Sequence, residues 1–225
     1  MKNVKTFGIA SAFLIAVTLM SCGSGKRKLP FLGHRTTVEK VVNGETVVDT
    51  VYQTIPDFSF TNQEGQTVSK KDFEGKVYVA DFFFTTCPTI CPKMSAQMLR
   101  LYQRFENTDE VRLLSHSIDT KYDTPPVLKR YAEKLDVKAP KWQFVTGKKE
   151  EIYTLGEKHY YVTAQEDKNA PGGFIHSGAF MLIDTHGRIR GKYDGTVPQA
   201  VDKLMNDIDL LLQETKEEKN TEGQS

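Results

Sequence analysis

The feature that most constrains the fold is an apolar run that ends directly before two cysteines. Residues 77–84 read VYVADFFF, which is the composition of a buried strand. Cys87 and Cys91 follow in the segment TTCPTICP, and residues 92–105 carry apolar side chains at the spacing of a helix. The cysteine pair is therefore predicted to lie between a buried strand and the start of a helix.

Strand and helix patterns continue to alternate along the chain. Strands are predicted at residues 111–118, 142–145, 174–182 and 189–193, and helices at residues 124–135, 149–161 and 198–212. Residues 163–173 are polar and predict a loop. This order is typical of an α/β protein with a central mixed sheet and helices on both faces. Cysteines after the first core strand are placed as in thioredoxin-like folds, and we expect one such domain over residues 52–213.

Two hairpins are predicted as additions before the core strand. Asn43 and Gly44 stand between two valine pairs, and an Asn-Gly step of this kind favours a tight turn. The stretch NQEG at residues 62–65 separates two further short alternating segments. At the other end of the chain, residues 214–225 are highly charged and predict a disordered tail.

The first 21 residues have the pattern of an export signal. Lys2 and Lys5 precede an uncharged stretch at residues 7–20, which is shorter than the roughly 20 residues that span a bilayer. The segment LMSC at residues 19–22 resembles the lipobox of bacterial lipoproteins, which implies a lipid on Cys22. Residues 22–51 would then be a tether that holds the protein on a membrane, facing the periplasm. An ordinary signal peptide with an incidental cysteine is the alternative.

The charge balance argues against one class of function. The chain has 30 basic and 29 acidic residues and a formal net charge of +1. Proteins that bind nucleic acid mainly through phosphate contacts carry a strong positive excess. A nucleic-acid partner is therefore not expected.

The spacing of the two cysteines does not determine which chemistry they perform. We expect the helix to begin at about Pro92, because proline suits a first turn and disfavours helical geometry at the residue before it. Both sulfurs would then lie near a helix N-terminus, where the thiolate is favoured. In an exported protein with Cys22 lipidated, Cys87 and Cys91 would be the two remaining thiols. They could form a disulfide clip, a redox couple or a pair of metal ligands.

A third ligand would distinguish a metal site from a redox couple. The candidates are the five histidines of the chain, which are His34, His116, His159, His176 and His186. His116 lies within a predicted strand, where a hydrogen-bonded structural role is the expectation. His176 follows a Gly-Gly loop and precedes a strand, and in a thioredoxin-like sheet that loop faces the cysteine-bearing helix end. His176 is therefore the candidate partner of the two thiols.

Several motifs together resemble the Sco/SenC family. They are FTTCPTICP at residues 84–92, SIDTKYDTP at residues 117–125, IHS at residues 175–177 and FMLIDTHG at residues 180–187. The family comprises membrane-tethered, thioredoxin-like copper chaperones for the dinuclear copper centre of cytochrome c oxidase. The resemblance spans about residues 52–212 and implies that Cys87, Cys91 and His176 bind one copper ion per chain. It also implies that Asp119 and Asp123 support the site or help to dock a partner; capping of the helix predicted at residues 124–135 is the alternative for both.

This resemblance implies a copper metallochaperone that binds Cu(I) and Cu(II) and delivers copper to the copper-bearing oxidase subunit. A thiol reductant would keep the cysteines reduced, and the lipid would replace the transmembrane helix of many relatives. The alternative is a thiol-disulfide oxidoreductase that reduces the oxidase cysteines. Two thiolates and an imidazole suit Cu(I). Met94 could add a thioether ligand, although its helical spacing predicts core packing.

Overall fold

The structure is a computed structural model that describes residues 27–42 and 44–222. The predicted export signal and Cys22 lie outside these residues, as does Asn43. Among the helices of the described residues, none has the length and apolar character needed to cross a membrane.

The strands and helices alternate as the sequence predicts. In chain order the strands are β1 (Arg35–Val42), β2 (Glu45–Tyr52), β3 (Ser59–Asn62), β4 (Thr67–Ser69), β5 (Val77–Phe83), β6 (Val111–Ser117), β7 (Trp142–Thr146), β8 (Ala164–Glu166), β9 (Phe174–His176), β10 (Ala179–Ile183) and β11 (Ile189–Asp194). The α-helices are α1 (Cys91–Phe105), α2 (Pro125–Leu135), α3 (Lys149–Thr154) and α4 (Pro198–Glu222). Short helical turns of other types occur at Lys70–Phe73, Leu155–Tyr160 and Pro171–Gly173.

A seven-stranded mixed sheet forms the centre of the molecule. Its strand order is β11-β10-β5-β6-β7-β3-β4. Strands β5, β6 and β7 are parallel to one another, and the remaining pairs in the sheet are antiparallel. The predicted α/β class, with a thioredoxin-like central mixed sheet, is confirmed.

Strand β5 is buried on both faces of the sheet. All seven of its residues are buried, and consecutive side chains of a strand point to opposite faces. Phe83 packs against Tyr131 of α2, with ring centroids 5.4 Å apart. Its neighbour Phe82 packs against Tyr160, which follows α3, at 5.6 Å. Helical segments therefore cover both faces of the sheet, as predicted.

Both predicted hairpins are present. Strand β1 pairs with β2 in a separate two-stranded sheet, and β3 pairs with β4 at the edge of the central sheet. Gly44 and Gly65 adopt positive φ angles of 84° and 73° at the two turns. Such angles are readily adopted by glycine, which explains the turn signals in the sequence.

The predicted loop at residues 163–173 is partly wrong. Strand β8 pairs with β9 in a small antiparallel sheet, and Ala164 lies opposite His176. These strands have three residues each, which is too short for a pattern of alternating polarity to be visible. The predicted helix at residues 149–161 also differs, since α3 ends at Thr154 and a wider π-type turn follows. A Cβ atom on Gly156 in that turn would lie 3.0 Å from the ring of Phe82.

The prediction of a disordered tail is wrong for residues 214–222. Helix α4 continues to Glu222, and Glu214 within it is buried. Its carboxylate accepts hydrogen bonds from the backbone N–H of Leu29 at 2.8 Å and from Arg190 Nη2 at 2.7 Å. The composition of the tail indicated solvation and could not reveal these distant partners.

Candidate metal centre

The two cysteines lie in the connection between β5 and α1. The backbone N–H of Cys87 donates to the carbonyl of Phe84 at 3.2 Å, which turns the chain after the strand. Helix α1 begins at Cys91, one residue before the predicted Pro92. The proline occupies the second helical position, where its missing N–H would have had no partner within the helix. Cys91 is therefore helical, contrary to prediction.

His176 reaches the cysteines from the last residue of β9. Pairing of β9 with β8 fixes its backbone, and the N–H of Ser177 donates to the carbonyl of Thr163 at 2.9 Å. The histidine is thus held by strand pairing rather than by a loop alone. The Gly-Gly sequence before His176 suggested that a loop alone would position this side chain.

The structure brings the three predicted residues together. The imidazole Nε2 of His176 lies 3.1 Å from Cys91 Sγ and 3.7 Å from Cys87 Sγ. The three candidate ligand atoms all lie within 4.8 Å of one another. Cys87, Cys91 and His176 are 8%, 2% and 9% exposed, and both thiols are free. The three atoms converge closely enough to share one ion.

The hydrogen bonds of His176 define its neutral tautomer. Its Nδ1 lies 3.3 Å from the carbonyl oxygen of Ser177, which can only accept a hydrogen bond. In the tautomer that satisfies this carbonyl, the ring proton sits on Nδ1 and Nε2 presents its lone pair to the sulfurs. Burial lowers the pKa of His176, although hydrogen bonds to the backbone of Ser177 and Phe82 partly oppose this effect. A neutral imidazole in this orientation is ready to bind a metal.

The two thiols have different acidities. Burial raises the pKa of Cys87, but hydrogen bonds from the Thr89 backbone and from Cys91 outweigh it, so the net pKa is lowered. Burial raises the pKa of Cys91, and the negative charges of Cys87 and Asp81 add to the effect. Cys87 therefore forms a thiolate more readily than Cys91.

The two predicted aspartates have separate roles. Asp123 is fully buried and accepts a hydrogen bond from the backbone N–H of Thr85 at 3.0 Å. The hydroxyl groups of Thr85 and Ser117 also donate to its carboxylate. Asp123 thereby ties the residues before Cys87 to the end of β6. Asp119 is partly exposed and accepts from the N–H of Tyr122 at 3.2 Å within its own turn.

An aromatic wall beside His176 was not predicted. The ring of Phe84 meets His176 edge to face at 5.7 Å and contacts Phe174 at 5.0 Å. Gly172 has a φ of 78°, and a Cβ there would lie 2.8 Å from Phe84. The Gly-Gly pair was noted in the sequence, but its role of admitting Phe84 required the structure. Thr85 and Ser117 were likewise visible only as parts of longer motifs.

The remaining candidates Met94 and His116 are packed in the interior of the domain. Met94 is 1% exposed and belongs to the hydrophobic core, as its spacing predicts. His116 is buried among aromatic rings and stacks on Phe82 at 4.7 Å. Its Nδ1 lies 3.3 Å from the carbonyl of Asp81, but its Nε2 has no hydrogen-bond partner. The expectation of a hydrogen-bonded structural histidine is therefore met at only one of the two ring nitrogens.

The fold and the site together define a class of protein. It is a thioredoxin-like domain in which two thiols and one imidazole converge at the N-terminal end of α1. A family model described as SCO1/SenC matches residues 48–213. The chain belongs to the SCO1/SenC family, as its motifs predict.

Three relatives illustrate the similarity. The SCO1 protein homolog of Bacillus subtilis is 32% identical over 168 residues, which cover 73% of this chain and 86% of that protein. The crystal structure of a SCO1/SenC family lipoprotein from Bacillus anthracis is 34% identical, with a TM-score of 0.65, over 71% of this chain and 95% of that one. Yeast Sco1, solved with copper bound, is 25% identical, with a TM-score of 0.55, over 69% and 88% of the two chains.

Proposed function

We propose that the protein is a copper metallochaperone that binds one copper ion per chain through Cys87, Cys91 and His176. The observation that carries this proposal is the position of His176 Nε2, which is 3.1 Å and 3.7 Å from the two sulfurs. A plain dithiol clip would not require an imidazole with its lone pair turned toward both thiols. The copper-bound structure of yeast Sco1 supports copper as the ion.

The donor set suits copper better than zinc. Two thiolates are soft ligands, which favour Cu(I), and one imidazole is compatible with both Cu(I) and Cu(II). A structural zinc site usually has four protein ligands. The metal-binding cluster found among the described residues has three members. Copper binding releases protons from the thiols, since each binds as thiolate.

The unequal exposure of the ligands supports delivery of the ion by stepwise ligand exchange. Cys87 and His176 are 8% and 9% exposed, whereas Cys91 is 2% exposed. An acceptor can therefore replace Cys87 and His176 first, while Cys91 retains the ion until the exchange is complete. The Sco family is a family of cytochrome c oxidase assembly proteins. We accordingly place the acceptor in the copper-bearing subunit of that oxidase.

Copper loading would depend on the redox state of the thiols. Oxidation joins the two Sγ atoms in a disulfide and releases two protons and two electrons to the oxidant. Neither sulfur can then bind copper as a thiolate. A thiol reductant must restore the pair by disulfide exchange before copper binds again.

The proposed location is the cell envelope, with the protein anchored by lipid on Cys22 and facing the periplasm. The motif LMSC at residues 19–22 supports this proposal. The Bacillus anthracis relative is described as a lipoprotein, which is consistent with it. Mass spectrometry of the mature N-terminus tests it, because a lipidated Cys22 carries the added mass of acyl chains.

Anaerobic titration with Cu(I) tests the ligand set. We expect the wild-type chain to bind one ion, Cys87→Ser to lose tight binding, and His176→Ala to bind at least tenfold more weakly. His34→Ala is the matched control, because His34 is exposed and is not a member of the group formed by Cys87, Cys91 and His176. Unchanged affinity in both the Cys87 and His176 variants, with folding intact, would refute the assignment.

A thiol-disulfide oxidoreductase is the second candidate function. The observation in its favour is the lowered pKa of Cys87 beside the raised pKa of Cys91, an asymmetry that suits attack by Cys87 on a disulfide. Reduction of an oxidised peptide with the sequence of an oxidase copper site separates the two functions. A reductase should retain its rate in His176→Ala, whereas a chaperone should lose copper transfer in the same variant.

A further inference from the structure

The hairpin formed by β1 and β2 carries most of the exposed large hydrophobic side chains of the described residues. All eight residues of β1 and seven of the eight in β2 are exposed. Six of the exposed large hydrophobic side chains belong to it, namely Val38, Val41, Val42, Val47, Val48 and Val51. Exposed apolar surface on a free two-stranded sheet favours association with another chain.

The pairing register assigns the valines to two unequal faces. Thr36 lies opposite Val51, and the register continues without a shift to Val42 opposite Glu45. Since alternate residues share a face, one face has four valines and the other has two. We call the first the four-valine face; it consists of Thr36, Val38, Lys40, Val42, Glu45, Val47, Asp49 and Val51.

This hairpin stands apart from the copper-binding domain. The SCO1/SenC family match begins at residue 48, so β1 and the first part of β2 lie outside it. An isolated two-stranded hairpin is at best marginally stable in water. Its long strands and exposed valines therefore indicate a binding partner. Membership of the SCO1/SenC family does not identify that partner.

We propose that the four-valine face binds the same face of a second copy of this chain. Lys40 and Asp49 lie near the middle of this face and form an exposed ion pair at 2.6 Å. One charge of each sign makes the centre of the face complementary to itself. When two copies stack about a two-fold axis, Lys40 of each copy lies beside Asp49 of the other, and the valines surround the four alternating charges.

The size of the face indicates a weak dimer. Two strands of eight residues present a surface of about 26 Å by 10 Å, or roughly 500 Å² over both copies. Stable complexes usually bury about 1,200 Å² or more. The dimer is therefore expected to be reversible, and covalent trapping is the suitable method for detecting it.

Photo-crosslinking of the full chain in the envelope of its host tests which face is used. A photoreactive amino acid replaces either Val47 or Val48, which are adjacent in sequence and lie on opposite faces of the hairpin. They are 47% and 62% exposed, so the control position is the more accessible one. We expect a product of twice the chain mass at position 47, at least fivefold more abundant than at position 48. Equal yields, or products only with other proteins, would overturn the proposal.

A charge exchange tests whether contact occurs between copies. The double variant Lys40→Asp with Asp49→Lys retains an ion pair within each hairpin. Each chain should therefore crosslink to its own kind, whereas mixed pairs of wild-type and exchanged chains should place like charges side by side. We expect mixed products to fall at least threefold below the statistical yield. Mixed products at the statistical yield would refute contact through this face, and Cu(I) binding by every variant reports that the domain is folded.

Discussion

At the scale of single residues, the two cysteines are made unequal by their surroundings. Cys91 lies at the start of α1, is 2% exposed and has a raised pKa. Cys87 lies in the preceding connection, where hydrogen bonds lower its pKa despite partial burial. In the proposed function, the more acidic and more exposed sulfur would be the first to react with an acceptor or a disulfide. This inequality explains how one pair of thiols could serve both copper exchange and redox chemistry.

Asp123→Asn should weaken the support of the Cys87 connection. The amide retains one acceptor oxygen, but its NH₂ group cannot accept from the donors of Thr85 and Ser117. We expect the free energy of unfolding to fall by about 1–3 kcal/mol and Cu(I) to dissociate faster. Urea denaturation and stopped-flow copper transfer measure the two effects. Asp119→Asn is the control, and an equal loss in that variant would contradict the assigned role of Asp123.

Asp81→Asn should remove a pH dependence from stability. Burial raises the pKa of Asp81 from 3.8 to about 7, although a hydrogen bond from Ser115 opposes the shift. Between these values the folded chain holds a proton that the unfolded chain has lost, so stability falls as pH rises from 4 to 7. The wild type should lose up to about 1.4 kcal/mol per pH unit relative to the variant. Parallel stability profiles for the two chains would show that Asp81 does not titrate in this range.

At the scale of elements, both ends of the described chain are fastened to β11. Arg190 of β11 is buried and binds Glu214 of α4, and it also donates to the carbonyls of Leu29 and Pro30. Arg27 adds an ion pair with Asp207 at 2.9 Å. The end of α4 and the N-terminal segment therefore depend on one another for their positions.

Glu214→Ala tests this dependence. The change leaves Arg190 buried with one weaker carboxylate contact, to Asp184 at 3.4 Å. Breaking a buried ion pair at one partner is strongly destabilising, and we expect a loss of about 3 kcal/mol in the free energy of unfolding. The exposed Glu218→Ala should change it by less than about 0.5 kcal/mol. Equal stabilities of the two variants by urea denaturation would show that the buried pair contributes little.

The longer elements were predicted because each repeats one pattern of apolar residues over many positions. Strand β5 and helices α1 and α2 were predicted within a residue or two because seven or more residues repeat one burial pattern. Strand β8 was missed because its three residues lie in a polar segment, whereas β9 and β10 both overlap the single strand predicted at residues 174–182. The extension of α4 was missed because it depends on Arg190, which lies 24 positions before Glu214.

The candidate site was also predictable from the sequence only in part. The cysteine pair was evident from its place after β5, and context together with family resemblance indicated His176. Asp123 was selected from its motif, but its partners Thr85 and Ser117 required the fold, since one of them lies 38 positions away. The contact of Phe84 with Gly172 depended on the β8–β9 pairing and was not accessible from any local pattern.

At the scale of the whole molecule, the candidate metal centre and the N-terminal segment lie at opposite ends of the sheet. Leu32 forms a bridge with Ile189, which pairs with Ile183, and Ile183 lies opposite Tyr78 near the start of β5. The cysteines follow the other end of β5, about 16 Å further along the strand. A lipid anchor before residue 27 would therefore hold the domain by one end of the sheet. The candidate metal centre would lie at the opposite end, where an acceptor could approach it.

X-ray absorption spectroscopy of the Cu(I)-loaded chain is the most direct test of a copper centre built from two sulfurs and one imidazole. We expect two sulfur scatterers and one imidazole nitrogen around copper in the wild type, and loss of the nitrogen signal in His176→Ala. A copper environment of sulfur alone, identical in the two chains, would contradict it.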